Sequence, residues 1–96
     1  MNEREKTIEK LHIQMDDVDE MLNQLEARRE MISSNFRTAY AERLVALRAQ
    51  RDKLNELFGQ IEQAEGEHLE WLVSEFKAVR SALKASIQVS ESQYLQ

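Results

Sequence analysis

The feature that most restricts the fold of this chain is a regular apolar spacing in its first third. Apolar residues there alternate in steps of three and four, at Ile8, Leu11, Met15, Val18, Leu22 and Leu25. This repeat is typical of a helix that buries one narrow face against another helix, as in a coiled coil. The same count continues to Arg29 and Ile32. It therefore predicts a long amphipathic helix over residues 3–32.

The composition permits helices of this length. The 96 residues include no proline and two glycines, and 32% of them are charged. Proline breaks helices and glycine weakens them, so their scarcity favours long helices. Aromatic residues make up 6% of the chain, whereas large rings dominate many compact cores. We therefore expect one all-α domain, residues 1–96, with a core of aliphatic side chains.

Two short segments divide the chain into nearly equal thirds. Ser33–Asn35 suit the start of a helix better than its interior, and Gly66 is a residue type that often ends a helix. The breaks predict helices over residues 3–32, 36–64 and 67–94, folded as an antiparallel, coiled-coil-like three-helix bundle. An alternative keeps Ser33–Asn35 helical, because the apolar steps there also fit a stutter in a continuous helix. That alternative is a long helical hairpin that dimerises.

The last third carries a second apolar face. Its steps are mostly of four residues, which favours packing in a bundle, and its members are Leu69, Leu72, Phe76, Val79, Leu83 and Ile87. Ten residues of the two faces form the predicted interaction seam: Ile8, Leu11, Met15, Val18, Leu22, Leu25, Leu72, Phe76, Val79 and Leu83. Trp71 is a further interface candidate, because tryptophan is enriched at the centres of protein interfaces.

These patterns predict a non-enzymatic module for protein–protein interaction or oligomerisation, which acts as a scaffold or adapter. The expected partner is a protein helix, either of another protein or of a second copy in a homo-oligomer, most simply a dimer. No catalytic residue and no cofactor are expected.

Other classes of partner fit the sequence less well. The net charge of −5 repels phosphate backbones, so no nucleic acid is expected. No apolar run approaches the roughly 20 residues that span a bilayer, and the charged N-terminus lacks the apolar stretch of a signal peptide. Without cysteine, disulfides and thiolate sites are excluded. We expect a cytoplasmic protein that does not bind membranes.

A Glu-x-x-His pair, Glu65 and His68, is the strongest candidate for a metal site, although we expect solvated side chains near a turn. Residues three apart share a helix face, and di-iron carboxylate bundles use two such pairs with two further glutamates. Glu9 and His12 form a second pair. The adjoining EHLEWL, residues 67–72, resembles a helix of short ferritin-like proteins. This resemblance implies an alternative function, a metal-binding half-bundle completed by dimerisation.

A second resemblance lies in residues 15–32, which read MDDVDEMLNQLEARREMI. They resemble the first helix of the all-α chorismate mutases, a family that holds a dicarboxylate substrate with several cationic residues. Arg29 matches one of these residues. The family's earlier arginine would fall on His12, and its downstream lysine would fall near Tyr40. The resemblance implies a third function, a degenerate chorismate-mutase-like domain with an incomplete cationic clamp.

Overall fold

The computed structural model describes residues 2–95 and contains three long α-helices. They are α1 (Glu3–Ala27), α2 (Arg37–Gln63) and α3 (Gly66–Tyr94), and a short 3-10 helix, Arg29–Met31, follows α1. The molecule measures 50 × 20 × 17 Å, and its radius of gyration of 15.5 Å exceeds the roughly 12.5 Å of a compact domain of this length. The predicted all-α three-helix bundle is thus confirmed, as a slender rod.

Contacts between side chains show that neighbouring helices run antiparallel. The guanidinium of Arg4, at the start of α1, donates a hydrogen bond to the carbonyl of Ala64, just after α2. At the other end of α2, the ring of Tyr40 meets that of Tyr94, with centroids 5.5 Å apart. Consequently α1 and α3 run parallel to each other, and both pack more extensively on α2 than on one another.

Two clusters of buried side chains fill the interior. The cluster near the α1–α2 connection consists of Val18, Leu22, Leu25, Ile32, Tyr40, Leu44, Leu47, Leu83 and Ile87. The cluster near the α2–α3 connection consists of Leu11, Leu54, Leu57, Ile61, Ala64, Leu72 and Phe76. In each helix these residues recur mostly at steps of three or four, so each helix turns one face inward. Aliphatic side chains dominate both clusters, as the composition predicts.

The first helix is shorter than its apolar spacing predicts. It ends at Ala27, so Arg29 and Ile32 lie beyond it, and Ser33–Asn35 belong to the connection that leads to α2. In a continuing helix, the carbonyl of Leu25 would accept the amide of Arg29. Instead, the buried hydroxyl of Tyr40 donates to that carbonyl at 2.6 Å, which favours the end of the helix there. The alternative of one long helix through Ser33–Asn35 is therefore wrong.

The connection between α2 and α3 is short, and a side chain from α1 covers it. Ala64 and Glu65 have extended backbones, and α3 begins at Gly66, so this glycine starts a helix where the sequence suggests an end. Arg4 donates to the carbonyls of Glu62 and Ala64. A cation at the C-terminus of a helix also suits the helix dipole, so Arg4 ties the start of α1 to the end of α2.

Gly66 has a φ of 63°, in the left-handed region that residues with a Cβ rarely adopt. We expect Gly66→Ala to lower the free energy of unfolding by about 1 kcal/mol, because alanine is strained in this region. Urea denaturation followed by circular dichroism measures the change. Gly59→Ala is the matched control, since an added Cβ meets nothing within 4 Å at either glycine. Gly59 lies inside α2, where alanine favours the helix. Equal effects of both substitutions on the free energy of unfolding would contradict the left-handed conformation of Gly66.

Candidate protein-interaction surface

The predicted interaction seam lies inside the bundle. Seven of its residues are buried: Leu11, Val18, Leu22, Leu25, Leu72, Phe76 and Leu83. The other three, Ile8, Met15 and Val79, are partly buried and pack against the cluster near the α2–α3 connection. In the folded chain, other helices of the same chain pack on these side chains and cover them. Any molecule that binds the folded chain therefore has to contact a different surface.

The outward side of α3 carries a second row with coiled-coil spacing. Its residues alternate in steps of four and three: Trp71, Glu75, Ala78, Ala82, Ala85 and Val89. We call this set the outer row. Its five apolar members are all exposed, and Trp71 and Val89 keep 57% and 56% of their surface open to solvent. The outer row is thus a heptad pattern that no helix within residues 2–95 covers.

Small residues of α2 border the outer row. Arg43 donates to the hydroxyl of Ser90 at 3.2 Å and to the side-chain oxygen of Gln93 at 3.5 Å, so its side of α2 faces α3. Ala39 and Ala46 lie four residues before and three after Arg43 and share this side, and both are exposed. Together with the outer row, Ala39 and Ala46 form a surface that we call the outer face.

Two charged residues of this region make no ion pair. Glu75 belongs to the outer row and is partly exposed, and Arg43 lies on the side of α2 that borders this row. Across residues 2–95, the ion pairs within 4 Å include neither of them. Both charges therefore remain available to a molecule that docks on the outer face.

Two other arginines of α2, Arg48 and Arg51, are engaged by acids of α1. Arg51 lies 2.9 Å from Asp19, and the hydrogen bond that its guanidinium donates to this carboxylate raises the pKa of Arg51. Arg48 lies 3.1 Å from Glu26, which Arg29 also contacts at 3.1 Å. The acidic face of α1 thus pairs with the basic side of α2. Arg29, the residue that matches the chorismate mutases, belongs to this exposed ion network.

Among residues 2–95, neither Glu-x-x-His pair belongs to a group of three residues that could hold a metal ion. Glu65 precedes α3 in extended conformation, and the exposed ring of His68 stacks on Trp71, with centroids 6.3 Å apart. His12, of the other pair, packs its ring against Phe58 and lies 3.9 Å from Asp16. Within the described part of the chain, no group of three or more His, Asp or Glu residues is placed to hold a metal ion.

The sequence signal for the outer row is present but weak. Three of its members are alanines and one is Glu75, whereas the predicted seam consists of large apolar side chains. Counting alanine as a seam residue reveals the alternation of four and three on both sides of Ala82. Trp71, the predicted interface candidate, belongs to this row, so one of its members is recognisable from residue type alone.

No known protein-family model, curated protein or solved structure matches this chain. Among residues 2–95, none of the helices has the length and apolar character required to cross a bilayer.

Proposed function

We propose that the protein is a non-enzymatic interaction module that binds a helix of another chain through its outer face and acts as a scaffold or adapter. The observation that carries the proposal is the exposed outer row of α3. Its steps of four and three are those of a coiled-coil seam. The proposal includes self-association and the cytoplasmic location predicted from the sequence.

The physical reason is the exposure of apolar surface along one line. Burying the half-exposed side chains of Trp71 and Val89 removes apolar area from water, which stabilises a complex by about 25 cal/mol per Å². Between them, Ala78, Ala82 and Ala85 have short side chains, and small residues at a contact allow helix axes to approach to roughly 8 Å. A partner helix on this row therefore gains both buried area and close packing.

The chemistry of the surroundings favours a protein partner. The outer row holds five uncharged residues and Glu75, and charged residues are depleted at the cores of protein interfaces. The net charge of −5 opposes binding to nucleic acids and to anionic lipid surfaces.

Sedimentation equilibrium at micromolar concentration tests the proposal. We expect a mass above the 11.3 kDa of one chain. Ala85→Glu, which places a carboxylate in the outer row, should weaken association about tenfold or more, because burying an unpaired charge costs at least about 1.4 kcal/mol. Ala27→Glu is the control, since Ala27 is an exposed alanine at the end of α1.

Circular dichroism should show equal helicity for the wild type and both variants, because both substituted positions are exposed. A wild-type chain that stays at 11.3 kDa and binds no helix of another protein would contradict the proposal. An Ala85→Glu variant that associates as well as the wild type would exclude the outer row as the contact.

A further inference from the structure

We infer that the occupant of the outer face is a second copy of the chain, with the two α3 helices antiparallel and crossing at Ala82, so that Glu75 of each chain meets Arg43 of the other. This inference rests on the proposed function and specifies its partner and geometry.

The outer row is self-complementary in an antiparallel pair. Ala82 lies on the two-fold axis, and Ala78 and Ala85 flank it on either side. Small side chains therefore meet in the middle, where the axes are closest. In this register Val89 lies opposite the partner's Glu75, and Trp71 lies one turn further from Ala82, about 6 Å along the axis, so the large side chains lie towards the two ends. Short side chains in the middle and large ones at the ends allow both rows to fill the space between the helices.

The position of Glu75 along α3 matches that of Arg43 in the partner. The hydrogen bonds of Arg43 to Ser90 and Gln93 place it level with residues 90–93 of its own α3. Glu75 lies seven residues before Ala82, and residue 89 lies seven after it. An antiparallel pair centred on Ala82 therefore brings Glu75 opposite the stretch that the partner's Arg43 borders.

The two charges also lie on the same side of the paired helices. Glu75 and Gln93 are eighteen residues apart, about five full turns, so both point from α3 towards α2, where Gln93 contacts Arg43. A two-fold axis perpendicular to both α3 helices keeps the two α2 helices on one side of the pair. Glu75 thus points towards the partner's Arg43 and not away from it.

An interaction between these residues has to be intermolecular. Within one chain, Glu75 lies fifteen residues from Ser90, about 22 Å along the helix, so it is far from the Arg43 that contacts Ser90. Neither residue has an opposite charge within 4 Å in the described chain. In a dimer with two-fold symmetry, the ion pair between Glu75 and the partner's Arg43 occurs twice.

Charge exchange between two variants tests the pairing. Glu75→Arg alone places a second guanidinium opposite the partner's Arg43, and Arg43→Glu alone opposes two glutamates, so each should weaken self-association about tenfold. In an equimolar mixture, a dimer with one chain of each variant has opposite charges at both contacts, because the introduced arginine faces the introduced glutamate at one and the native Glu75 faces the native Arg43 at the other. Its association should therefore return to near the wild-type value. Sedimentation equilibrium of each variant and of the mixture gives these constants, and circular dichroism verifies that Arg43→Glu retains its helices.

Cysteine cross-linking tests the direction independently, because the chain has no cysteine of its own. Ala82→Cys, on the two-fold axis, should form a disulfide-linked dimer on oxidation with copper–phenanthroline. Val89→Cys is the matched control on the same row. Its two thiols lie about 21 Å apart in the antiparallel pair and should not link.

The outcomes separate this inference from the proposed function. Disulfide-linked dimers of both the Ala82→Cys and the Val89→Cys variants indicate a parallel pair and would overturn the inference. Association of the wild type without recovery in the mixture would overturn the ion pair and leave the interaction module intact. Binding only to a different helical protein, with no cross-link at either position, would exclude the second copy as occupant. A wild-type chain that stays monomeric and binds no other helix would contradict both the inference and the proposed function.

Discussion

Phe76→Ala is expected to lower the free energy of unfolding by about 3–5 kcal/mol. Phe76 is fully buried and packs in the cluster that joins all three helices near the α2–α3 connection, where its ring lies 6.4 Å from that of Phe58. Removing the ring loses buried apolar area and leaves a cavity that rigid helices cannot close. Since a domain of this size is stable by roughly 5–14 kcal/mol, the loss is a large share of the total.

Urea denaturation monitored by circular dichroism measures this change. Phe36→Ala is the matched control, because Phe36 lies in the connection between α1 and α2 and is 54% exposed. We expect it to cost about 1 kcal/mol or less. If the two substitutions cost the same, Phe76 does not hold a buried position in the core.

Tyr40→Phe is expected to lower the free energy of unfolding by about 1–2 kcal/mol. The substitution removes the hydroxyl that donates to the carbonyl of Leu25, at the point where α1 ends. The loss is moderated because the amide of Arg28 also donates to this carbonyl, at 3.2 Å. Tyr94→Phe is the control, since the hydroxyl of Tyr94 makes no hydrogen bond to residues 2–95.

The same substitution has a predictable pH dependence. Burial raises the pKa of Tyr40 above the ordinary value of 10.0, so above that pH the unfolded chain loses a proton that the folded chain retains. The contribution of the hydroxyl is therefore complete below pH 10.0 and is lost as the pH rises through the raised pKa of the folded chain. We expect the stability difference between the wild type and Tyr40→Phe to shrink in this alkaline range. A difference that is constant from neutral to strongly alkaline pH would contradict the buried, hydrogen-bonded hydroxyl.

The helical architecture was largely predictable because it follows from local spacing. The steps of three and four from Ile8 to Leu25 predict α1, since a helix places such residues on one face. Its end at Ala27 was not predictable, because it depends on Tyr40, a residue fifteen positions beyond Leu25. Spacing also favours Phe58 for the core of α2, whereas Leu57 is the more deeply buried of the two.

The candidate surface was predictable only in part. Large apolar side chains identify a seam in the sequence, and these are the residues that a single chain buries first. The outer row differs because short side chains fill its centre, so its pattern becomes meaningful only when the fold shows that α1 and α2 leave it uncovered. Trp71 was recognisable because of its size. The exposure of Ala82 and the positions of Glu75 and Arg43, on which the proposed dimer depends, could be found only from the arrangement of the helices.

The α1–α2 and α2–α3 connections differ in length, and this difference determines which pair of helices comes together with the smaller loss of chain entropy. Only Ala64 and Glu65 separate α2 from α3, whereas nine residues, 28–36, separate α1 from α2. Closing a short loop costs less chain entropy than closing a longer one. The hairpin of α2 and α3 therefore forms at a lower cost in chain entropy than the hairpin of α1 and α2. Because α2 and α3 alone carry the outer face, the proposed association and the packing of α1 use different sides of the same hairpin.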